Sequence, residues 1–335
     1  MTLRWGIIGP GRIARKLAAD FAVVDGCELV AVGSRDPARA KAFVAGLPPA
    51  LAAPVRSYGG YADLLADPAV DVVYIATPHR QHAAIAVAAL NAGRAVLVEK
   101  AFTCTVAGAQ TVIDTAKAHR LFAMEAMWTR FVPLVVRLRE LLADGVIGEV
   151  RAVHADLGVI REFDPADRLW DPAQGGGALL DLGVYPVAFA QMILGEPGSV
   201  EVHGNLGRTG VDEDVALLLG YDSGAWAVLD CSLRLPLAGA ASVIGSAGRI
   251  DVLPRFHHPV DMVLHRVGHD PTPIRLPMLA GGYAHQLIEV RDRIAAGHLE
   301  STVMPLRDTL SVLRTLETAL QRLGLHLTED ADAMR

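Results

Sequence analysis

The stretch that decides the fold is LRWGIIGPGRIARKLAAD, residues 3–20. The apolar run over residues 3–9 predicts a buried strand, and the residues after it carry apolar side chains at the spacing of an amphipathic helix. Gly9, Gly11 and Ala14 form the pattern G-x-G-x-x-A between these two elements. Such a turn lets a pyrophosphate approach the backbone at Gly11, while Ala14 lets the helix pack closely on the sheet.

The same turn contains Arg12 and Ile13, which we include among the predicted cofactor-binding residues. The first backbone N–H groups of a helix have no partner within the helix, so its N-terminus is expected to hold the phosphates. The alternative is a glycine–proline–glycine turn without a ligand. Because the turn lies between a strand and a helix at the start of a longer series, a dinucleotide site is favoured.

Residues 1–125 alternate short apolar runs with helical patterns and are predicted to form a dinucleotide-binding Rossmann domain. The alternation indicates a doubly wound parallel sheet of α/β class, with both of its faces covered by helices. The predicted strands are residues 3–9, 28–34, 70–78, 94–100 and 121–126.

Residues 126–325 are predicted to form a substrate-binding and oligomerisation domain. Strand-like runs follow one another here, and YDSGAW at residues 221–226 indicates a hairpin. We expect an open, predominantly antiparallel sheet with one helix at 177–194 and two more at 282–297 and 305–323. The first helix, 131–144, is a candidate for packing back on the Rossmann domain, and 326–335 is expected to be a frayed tail.

The composition excludes several classes of protein. A net charge of −6 over 335 residues, with no basic run, argues against nucleic-acid binding. Cys27, Cys104 and Cys231 have neither disulfide nor zinc spacing, and His79 and His82 lack an evident third ligand, so no metal is predicted. The apolar runs are too interrupted for a membrane span, and no signal peptide is evident, so we expect a cytoplasmic protein.

The end of the second predicted strand indicates which dinucleotide binds. Ser34 and Arg35 occupy the place where an NAD site usually has a carboxylate, and Arg39 follows one turn later. A hydroxyl and guanidinium groups suit a 2′-phosphate, so NADP(H) is favoured over NAD(H). The rival is Asp36 as a ribose ligand, although Asp followed by Pro37 is also an ordinary helix start.

Glu99 and Lys100 follow the predicted strand at 94–100. Ligands of open parallel sheets bind at the carboxyl ends of the strands, so Lys100 is expected to face the nicotinamide position. An ammonium group there can bind a substrate hydroxyl or help to move its proton. The alternatives are a solvated lysine or an ion pair with Glu99.

The segment GGGALLDLGVYP, residues 175–186, holds Asp181 and Tyr185 four residues apart. On a helix this spacing places both side chains on one face. They are interpreted either as a structural hydrogen-bonding pair or as part of a working site. With a lysine and a dinucleotide turn elsewhere in the chain, the second interpretation is favoured.

Several motifs together resemble the Gfo/Idh/MocA family of oxidoreductases. They are GIIGPGRIA, SRDPARA, VDVVYIATPHRQHAAIAVAALNAGRAVLVEKAF and GGGALLDLGVYP. The later segments MEAMWTRFVP, RLWDPAQGGGALLDLGVYP and YAHQLIEV resemble its branch of dimeric dihydrodiol dehydrogenases and D-xylose 1-dehydrogenases. The resemblance covers about residues 1–325, with the motifs in family order.

The resemblance implies roles for individual residues. Lys100 matches the family's catalytic or substrate-orienting lysine, Tyr185 the acid/base, and Asp181 its partner carboxylate. Ala101 departs from the family pattern, which has a proline after this lysine. Further residues match positions near the cofactor: Thr77, Pro78, His82, Glu99, Trp128 and Arg130.

The predicted function is NADP(H)-dependent interconversion of a secondary alcohol with a ketone or lactone on a sugar, cyclic polyol or trans-dihydrodiol. Arg168 and Trp170 are weaker candidates for lining the substrate cleft, and Trp170 is alternatively a structural anchor. The resemblance implies a homodimer or homotetramer formed through the second domain's sheet. Two alternatives stay open, a biosynthetic keto-sugar reductase and a non-catalytic NADP(H)-sensing regulator.

Overall fold

The computed structural model describes residues 2–334, and the chain divides into two compact units. The first unit comprises the chain up to Trp128, Leu279–Thr309 and the chain from Thr328 onward. The second unit comprises Thr129–Met278 and Leu310–Leu327.

The first unit is built on a six-stranded parallel sheet with strand order β3-β2-β1-β4-β5-β6. Its strands are β1 (Leu3–Ile8), β2 (Cys27–Gly33), β3 (Arg56–Tyr58), β4 (Val72–Ile75), β5 (Ala95–Val98) and β6 (Ala123–Glu125). Its helices are α1 (Arg12–Asp20), α2 (Pro37–Ala45), α3 (Pro49–Ala52), α4 (Tyr61–Ala66), α5 (His82–Asn91), α6 (Val106–His119) and α9 (Ala284–Ala295).

This sheet confirms the predicted Rossmann fold. All four residues of β4 and all four of β5 are buried, as expected for central strands covered on both faces. The strand that the sequence did not predict is β3, which is three residues long and has an exposed start. A polar run of that length carries too little periodicity to be recognised.

The second unit is built on an eight-stranded sheet with strand order β14-β13-β12-β11-β7-β10-β9-β8. Its strands are β7 (Val150–Gly158), β8 (Ser199–Leu206), β9 (Asp212–Gly220), β10 (Trp226–Ser232), β11 (Ala241–Gly245), β12 (Gly248–Val252), β13 (Asp261–Arg266) and β14 (Thr272–Arg275). The other α-helices are α7 (Pro133–Ala143), α8 (Val184–Leu194) and α10 (Leu306–Arg322), whose first residues belong to the first unit.

The second sheet is predominantly antiparallel, as predicted, and its one parallel pair is β7 with β10. The predicted hairpin joins β9 to β10, where the Tyr221 N–H donates to the Ala225 carbonyl at 3.0 Å. Residues along β10 alternate between exposed and buried, so one face packs on the core and the other is open.

The first unit runs to Trp128, where residues 1–125 were predicted, and it also takes in two segments from the C-terminal part of the chain. Leu279–Thr309 returns to the first unit, where Asp20 accepts hydrogen bonds from the backbone N–H groups of Gly281 and Ala284. The tail is also tied to the first unit, because Glu329 accepts from the backbone N–H and hydroxyl of Thr105. The predicted first helix, α7, falls in the second unit.

One helical stretch, Pro172–Leu194, has the length and mean hydropathy (1.5) of a membrane span. Within that stretch, 67% of the tested window is buried inside the protein. A buried core helix of a soluble protein passes the same test, so the stretch is weak evidence for a membrane.

Candidate active site

The turn after β1 requires glycine at position 9. Its φ is +87°, a backbone conformation that side chains disfavour, and a Cβ atom there would lie 2.7 Å from the carbonyl carbon and oxygen of Ala76. Gly11 differs, because a Cβ atom added there meets nothing within 4 Å. The protein itself therefore leaves open the position at which a pyrophosphate would approach the backbone.

The start of α1 fits an anion. Its N-cap is Gly11, and no described side chain caps the helix. The first N–H groups of this nine-residue helix are therefore suited to hold phosphate oxygens. In the loop after β4, the hydroxyl of Thr77 is buried without a partner among residues 2–334, as expected for a group that meets a ligand.

The end of β2 leads into a helix cap. The Asp36 carboxylate accepts from the Ala38 N–H at 2.8 Å, so it serves as the N-cap of α2. The Ser34 hydroxyl accepts from the Asp36 N–H at 3.2 Å. Arg35 lies beside the hydroxyl of Tyr61; burial raises the pKa of this phenol, and Arg35 and Arg39 partly lower it.

The backbone at Lys100 is held by the residue before it. Glu99 is buried, its Oε1 accepts from the Tyr74 hydroxyl, and its Oε2 accepts from the Lys100 N–H at 3.2 Å. The strand predicted over 94–100 is β5, which ends at Val98, so Lys100 follows its carboxyl end and is half-buried. The peptide bond between Lys100 and Ala101 is cis.

Two further buried residues, His82 and Glu125, hold the peptide group between Ala101 and Phe102. One ring nitrogen of His82 lies 3.0 Å from the Ala101 carbonyl oxygen and the other 2.8 Å from that of Thr77. Carbonyl oxygens only accept, so a neutral ring can satisfy one of them and a protonated ring both. Glu125 accepts from the Phe102 N–H at 3.2 Å. The loop that carries Lys100 is thus fixed from several sides.

The helix of the second unit begins with an unusual turn. Leu179–Gly183 is π-helical and continues directly into α8, instead of the regular helix predicted over 177–194. Pro186 lies in the first turn of α8, where it has no N–H to donate to the carbonyl four residues earlier. A π-turn before such a position is a recognised feature of functional helices. The four-residue spacing of Asp181 and Tyr185 therefore spans two helix types.

Asp181 forms an ion pair. Nη2 of Arg168 donates to Oδ1 of Asp181 at 2.8 Å, and the carboxylate is largely buried. Arg168 is itself partly exposed, so the pair lies at the border between core and solvent. Arg168 and Trp170 were the two weaker candidates for lining the substrate cleft, and the structure places them differently. Trp170 is buried, and its indole donates to the Glu162 carbonyl at 3.0 Å. This contact favours Trp170 as an anchor of the loop.

Tyr185 packs against a histidine that the sequence did not identify as functional. The ring centroids of Tyr185 and His257 lie 5.0 Å apart, and the His257 carbonyl accepts from the Thr129 hydroxyl at 2.6 Å. Tyr185 is 8% exposed. Asp181, Arg168, Tyr185 and His257 are among the polar residues that the second unit brings together near the start of α8.

Asp212, the first residue of β9, is a buried carboxylate without a sequence prediction. Its Oδ2 accepts from the Leu179 N–H at 2.6 Å. Burial raises the pKa of Asp212 to about 7, although backbone N–H groups act in the opposite direction. Between an ordinary pKa near 3.8 and about 7 the folded chain keeps a proton that the unfolded chain loses, so this group's contribution to stability falls as pH rises.

Two further predicted positions, Trp128 and Arg130, are buried. Trp128 stacks on Tyr283 with ring centroids 4.3 Å apart, and Arg130 is 4% exposed. Within residues 2–334 no group of three or more His, Cys, Asp or Glu side chains could hold a metal ion. The sequence analysis did not single out Glu125. This residue is the last of β6, and ligands of open parallel sheets bind at the carboxyl ends of the strands, so its position could have marked it as a candidate.

Comparisons with known proteins match both halves of the chain. Residues 3–126 match an oxidoreductase family with an NAD-binding Rossmann fold, and residues 135–251 match the GFO/IDH/MocA C-terminal domain. The chain belongs to the Gfo/Idh/MocA family of oxidoreductases. This confirms the family resemblance and the prediction of an enzyme with a nicotinamide dinucleotide cofactor.

Relatives in the family match almost the whole chain. Human trans-1,2-dihydrobenzene-1,2-diol dehydrogenase is 35% identical, covering 98% of this chain and 99% of its own. D-xylose 1-dehydrogenase (NADP(+)) of Hypocrea jecorina is 33% identical, covering 98% and 94%.

Solved structures show the same fold. Aldose-aldose oxidoreductase from Caulobacter crescentus superposes with a TM-score of 0.85 at 27% identity, covering 97% of this chain and 98% of its own. A 3-ketoreductase from Actinomadura kijaniata, in complex with NADP and TDP-benzene, gives 0.83 at 26% identity, covering 98% and 100%.

The two glycines of the turn predict different outcomes on substitution. Gly9→Ala is expected to lower the free energy of unfolding by at least about 1–2 kcal/mol, because its backbone is left-handed and its Cβ atom is blocked. Gly11→Ala is expected to leave the melting temperature unchanged while weakening NADP+ binding about tenfold or more, since 1.4 kcal/mol of lost contact is tenfold. Thermal unfolding and calorimetric titration measure both. Unchanged NADP+ affinity in Gly11→Ala would contradict the assignment of Gly11 as the position where the pyrophosphate approaches the backbone.

Proposed function

We propose that this chain is an NADP(H)-dependent dehydrogenase that interconverts a secondary alcohol with a ketone or lactone on a sugar, cyclic polyol or trans-dihydrodiol. The observation that carries the proposal is the loop after β5, where buried groups on both sides fix the backbone of Lys100. The names of its near-full-length relatives, a diol dehydrogenase and an NADP-dependent xylose dehydrogenase, support the substrate class.

Lys100 is proposed to bind the reacting oxygen. An ammonium group beside the substrate oxygen stabilises the negative charge that develops there as the alcohol loses its proton. The fixed backbone limits the positions that this flexible side chain can reach. Such a preorganised cation takes the place that a metal ion holds in other alcohol dehydrogenases.

Tyr185 is proposed to exchange the hydroxyl proton, alone or shared with Lys100. The phenol lies near the start of α8, in the turn that follows Asp181 and its partner Arg168. Asp181 is proposed to hold a substrate hydroxyl or to orient the phenol. Held at Gly11 and the start of α1, NADP+ would supply the hydride acceptor for the substrate carbon.

The reducing direction remains an alternative supported by one comparison. The 3-ketoreductase from Actinomadura kijaniata shares this fold, and it has also been crystallised with a tyrosine replaced by phenylalanine and with a lysine replaced by alanine. These are the residue types that the proposal requires. A keto-sugar reductase would use the same chemistry in reverse, so assays with ketoses and NADPH would separate the two functions.

Replacing the proposed acid/base tests this mechanism. Tyr185→Phe and Lys100→Ala are each expected to lower kcat about 10²–10⁴-fold, the usual contribution of a positioned proton donor or acceptor. NADP+ affinity is expected to stay within a small factor of wild type. Steady-state kinetics over a panel of sugars and diols, with NADP+ titration, measures both. Full kcat in both variants would contradict the assignment.

A preference for NADP(H) is proposed from the end of β2. The charges of Arg35 and Arg39 both act on the phenol of Tyr61 and partly offset the rise in its pKa that burial causes, while Asp36 is engaged as a helix cap. Two guanidinium groups suit a 2′-phosphate better than a ribose hydroxyl.

Arg35→Ala is expected to weaken NADP+ binding about 10–100-fold, the worth of one charge-assisted hydrogen bond of roughly 1.5–3 kcal/mol. NAD+ binding is expected to change little, because NAD+ lacks the 2′-phosphate. Calorimetric titration with both dinucleotides measures the difference. Equal losses for NAD+ and NADP+ would overturn the preference.

A homodimer or homotetramer is proposed through the open face of the second unit's sheet. Neighbouring strands there expose Leu218 (48%), Trp226 (42%) and Val228 (37%), which is an unusual row of apolar side chains for a surface.

Three buried, free cysteines are consistent with a reducing compartment, so we also propose a cytoplasmic location.

Charges on the open face are expected to dissociate the oligomer. Leu218→Lys combined with Trp226→Lys places two like charges where the subunits would meet, and the burial of such unpaired charges is unfavourable. Light scattering after size-exclusion chromatography is expected to show monomers. The control is Val267→Lys, an 80% exposed apolar residue in the turn after β13. An unchanged mass for the double variant would contradict an interface at this face.

A further inference from the structure

We propose that Asp212 is a positioning residue, which anchors the start of the helix that carries Asp181 and Tyr185 and couples catalysis to its own ionisation. The inference rests on the proposed function, because it assigns those two residues to the reaction. Asp212 does not touch the reacting atoms and acts through the backbone.

The carboxylate of Asp212 contacts the backbone at the start of the helix. Oδ2 of Asp212 accepts from the Leu179 N–H at 2.6 Å, and the backbone of Ala178 also donates to this carboxylate. These N–H groups open the helical run, where no intrahelical acceptor exists. A charged acceptor at a helix N-terminus is favourable for the helix dipole as well.

Gly177 leaves the space that this carboxylate occupies. Gly177 precedes the helix with a φ of +117°, and a Cβ atom there would lie 2.1 Å from Oδ1 of Asp212. Only glycine at this position allows the carboxylate to approach the helix start. The third glycine of GGGALLDLGVYP is therefore explained by Asp212, which lies 35 residues further along the chain.

Several ionisable groups surround Asp212 on the neighbouring elements. On β10, burial raises the pKa of the Cys231 thiol, and the charge of Asp212 raises it further, with Asp230 and Asp214 adding to the effect. The next residue on β9, Glu213, pairs with Arg234 at 3.0 Å. On the helix and the preceding loop, Asp181 pairs with Arg168.

The ionisation of Asp212 makes its contact with the helix start dependent on pH. Burial is the largest cause of the raised pKa of Asp212, about 7, and the opposing causes are backbone N–H groups. Both ionisation states are therefore populated near neutral pH. Ionised Asp212 offers only acceptors to the helix start, whereas the protonated carboxyl also presents an O–H donor to N–H groups.

The test compares Asp212→Asn with Glu213→Gln, which removes the neighbouring charge without contacting the helix. In Asp212→Asn the amide has nearly the shape of the carboxyl group but does not ionise in this range. In wild type we expect kcat to rise between pH 6 and pH 8, as ionised Asp212 replaces the protonated form. In Asp212→Asn we expect kcat at pH 8 to fall about tenfold, this rise to disappear, and NADP+ affinity to stay unchanged. Glu213→Gln is expected to keep the wild-type profile.

Amide hydrogen exchange supplies a readout that does not need turnover. Residues 178–181 are expected to exchange about tenfold faster in Asp212→Asn than in Glu213→Gln. In wild type, the local opening that breaks these N–H bonds while Asp212 stays buried is expected to give faster exchange at pH 6 than at pH 8 after correction for intrinsic rates. Unchanged exchange would overturn the anchor, and the wild-type comparison decides the matter if the variant does not fold. Faster exchange with an unchanged kcat profile would overturn the coupling to catalysis. A wild type that lacks sugar or diol turnover but shows the expected exchange would contradict the proposed function and leave the anchor supported.

Discussion

The turn at Gly9 is the constraint on which the first unit depends. The backbone must turn within one residue of the end of β1, and the Ala76 backbone is too close to allow any side chain there. This turn directs the start of α1 to the carboxyl edge of the sheet. Because all six strands are parallel, Ser34, Thr77 and Glu99 follow strands that end at the same edge.

In both units, buried ionisable groups hydrogen-bond to the backbone next to the proposed active-site residues. In the first unit Glu99 bonds to the peptide group before Lys100, and His82 and Glu125 bond to the peptide group between Ala101 and Phe102. In the second unit Asp212 bonds to the start of the helix that carries Tyr185. Burying such groups is unfavourable unless they are hydrogen-bonded, so the fold tolerates them where a peptide group needs a fixed position.

Much of the architecture was predictable because it depends on local patterns. Alternating strands and helices predicted the Rossmann sheet, and Asp36 before Pro37 marked a helix start that the structure confirms. The turn at Gly9 was recognisable because its glycines lie between a strand and a helix.

The parts that were not predictable depend on contacts distant in sequence. Asp212 meets Leu179 across 33 residues, and no pattern near either residue signals the contact. The return of Leu279–Thr309 to the first unit rests on hydrogen bonds to Asp20, 261 residues away. The π-turn was missed because Leu179–Gly183 has the composition of an ordinary helix.

The central claim is hydride transfer from a sugar or diol carbon to NADP+, and isotope labelling tests it most directly. The purified protein would be incubated with NADP+ and aldoses or trans-diols deuterated at the carbinol carbon, and the dinucleotide examined by NMR. The account predicts deuterium at C4 of the nicotinamide in the NADPH formed. Formation of NADPH without deuterium, or bound NADP+ that no labelled alcohol reduces, would contradict it.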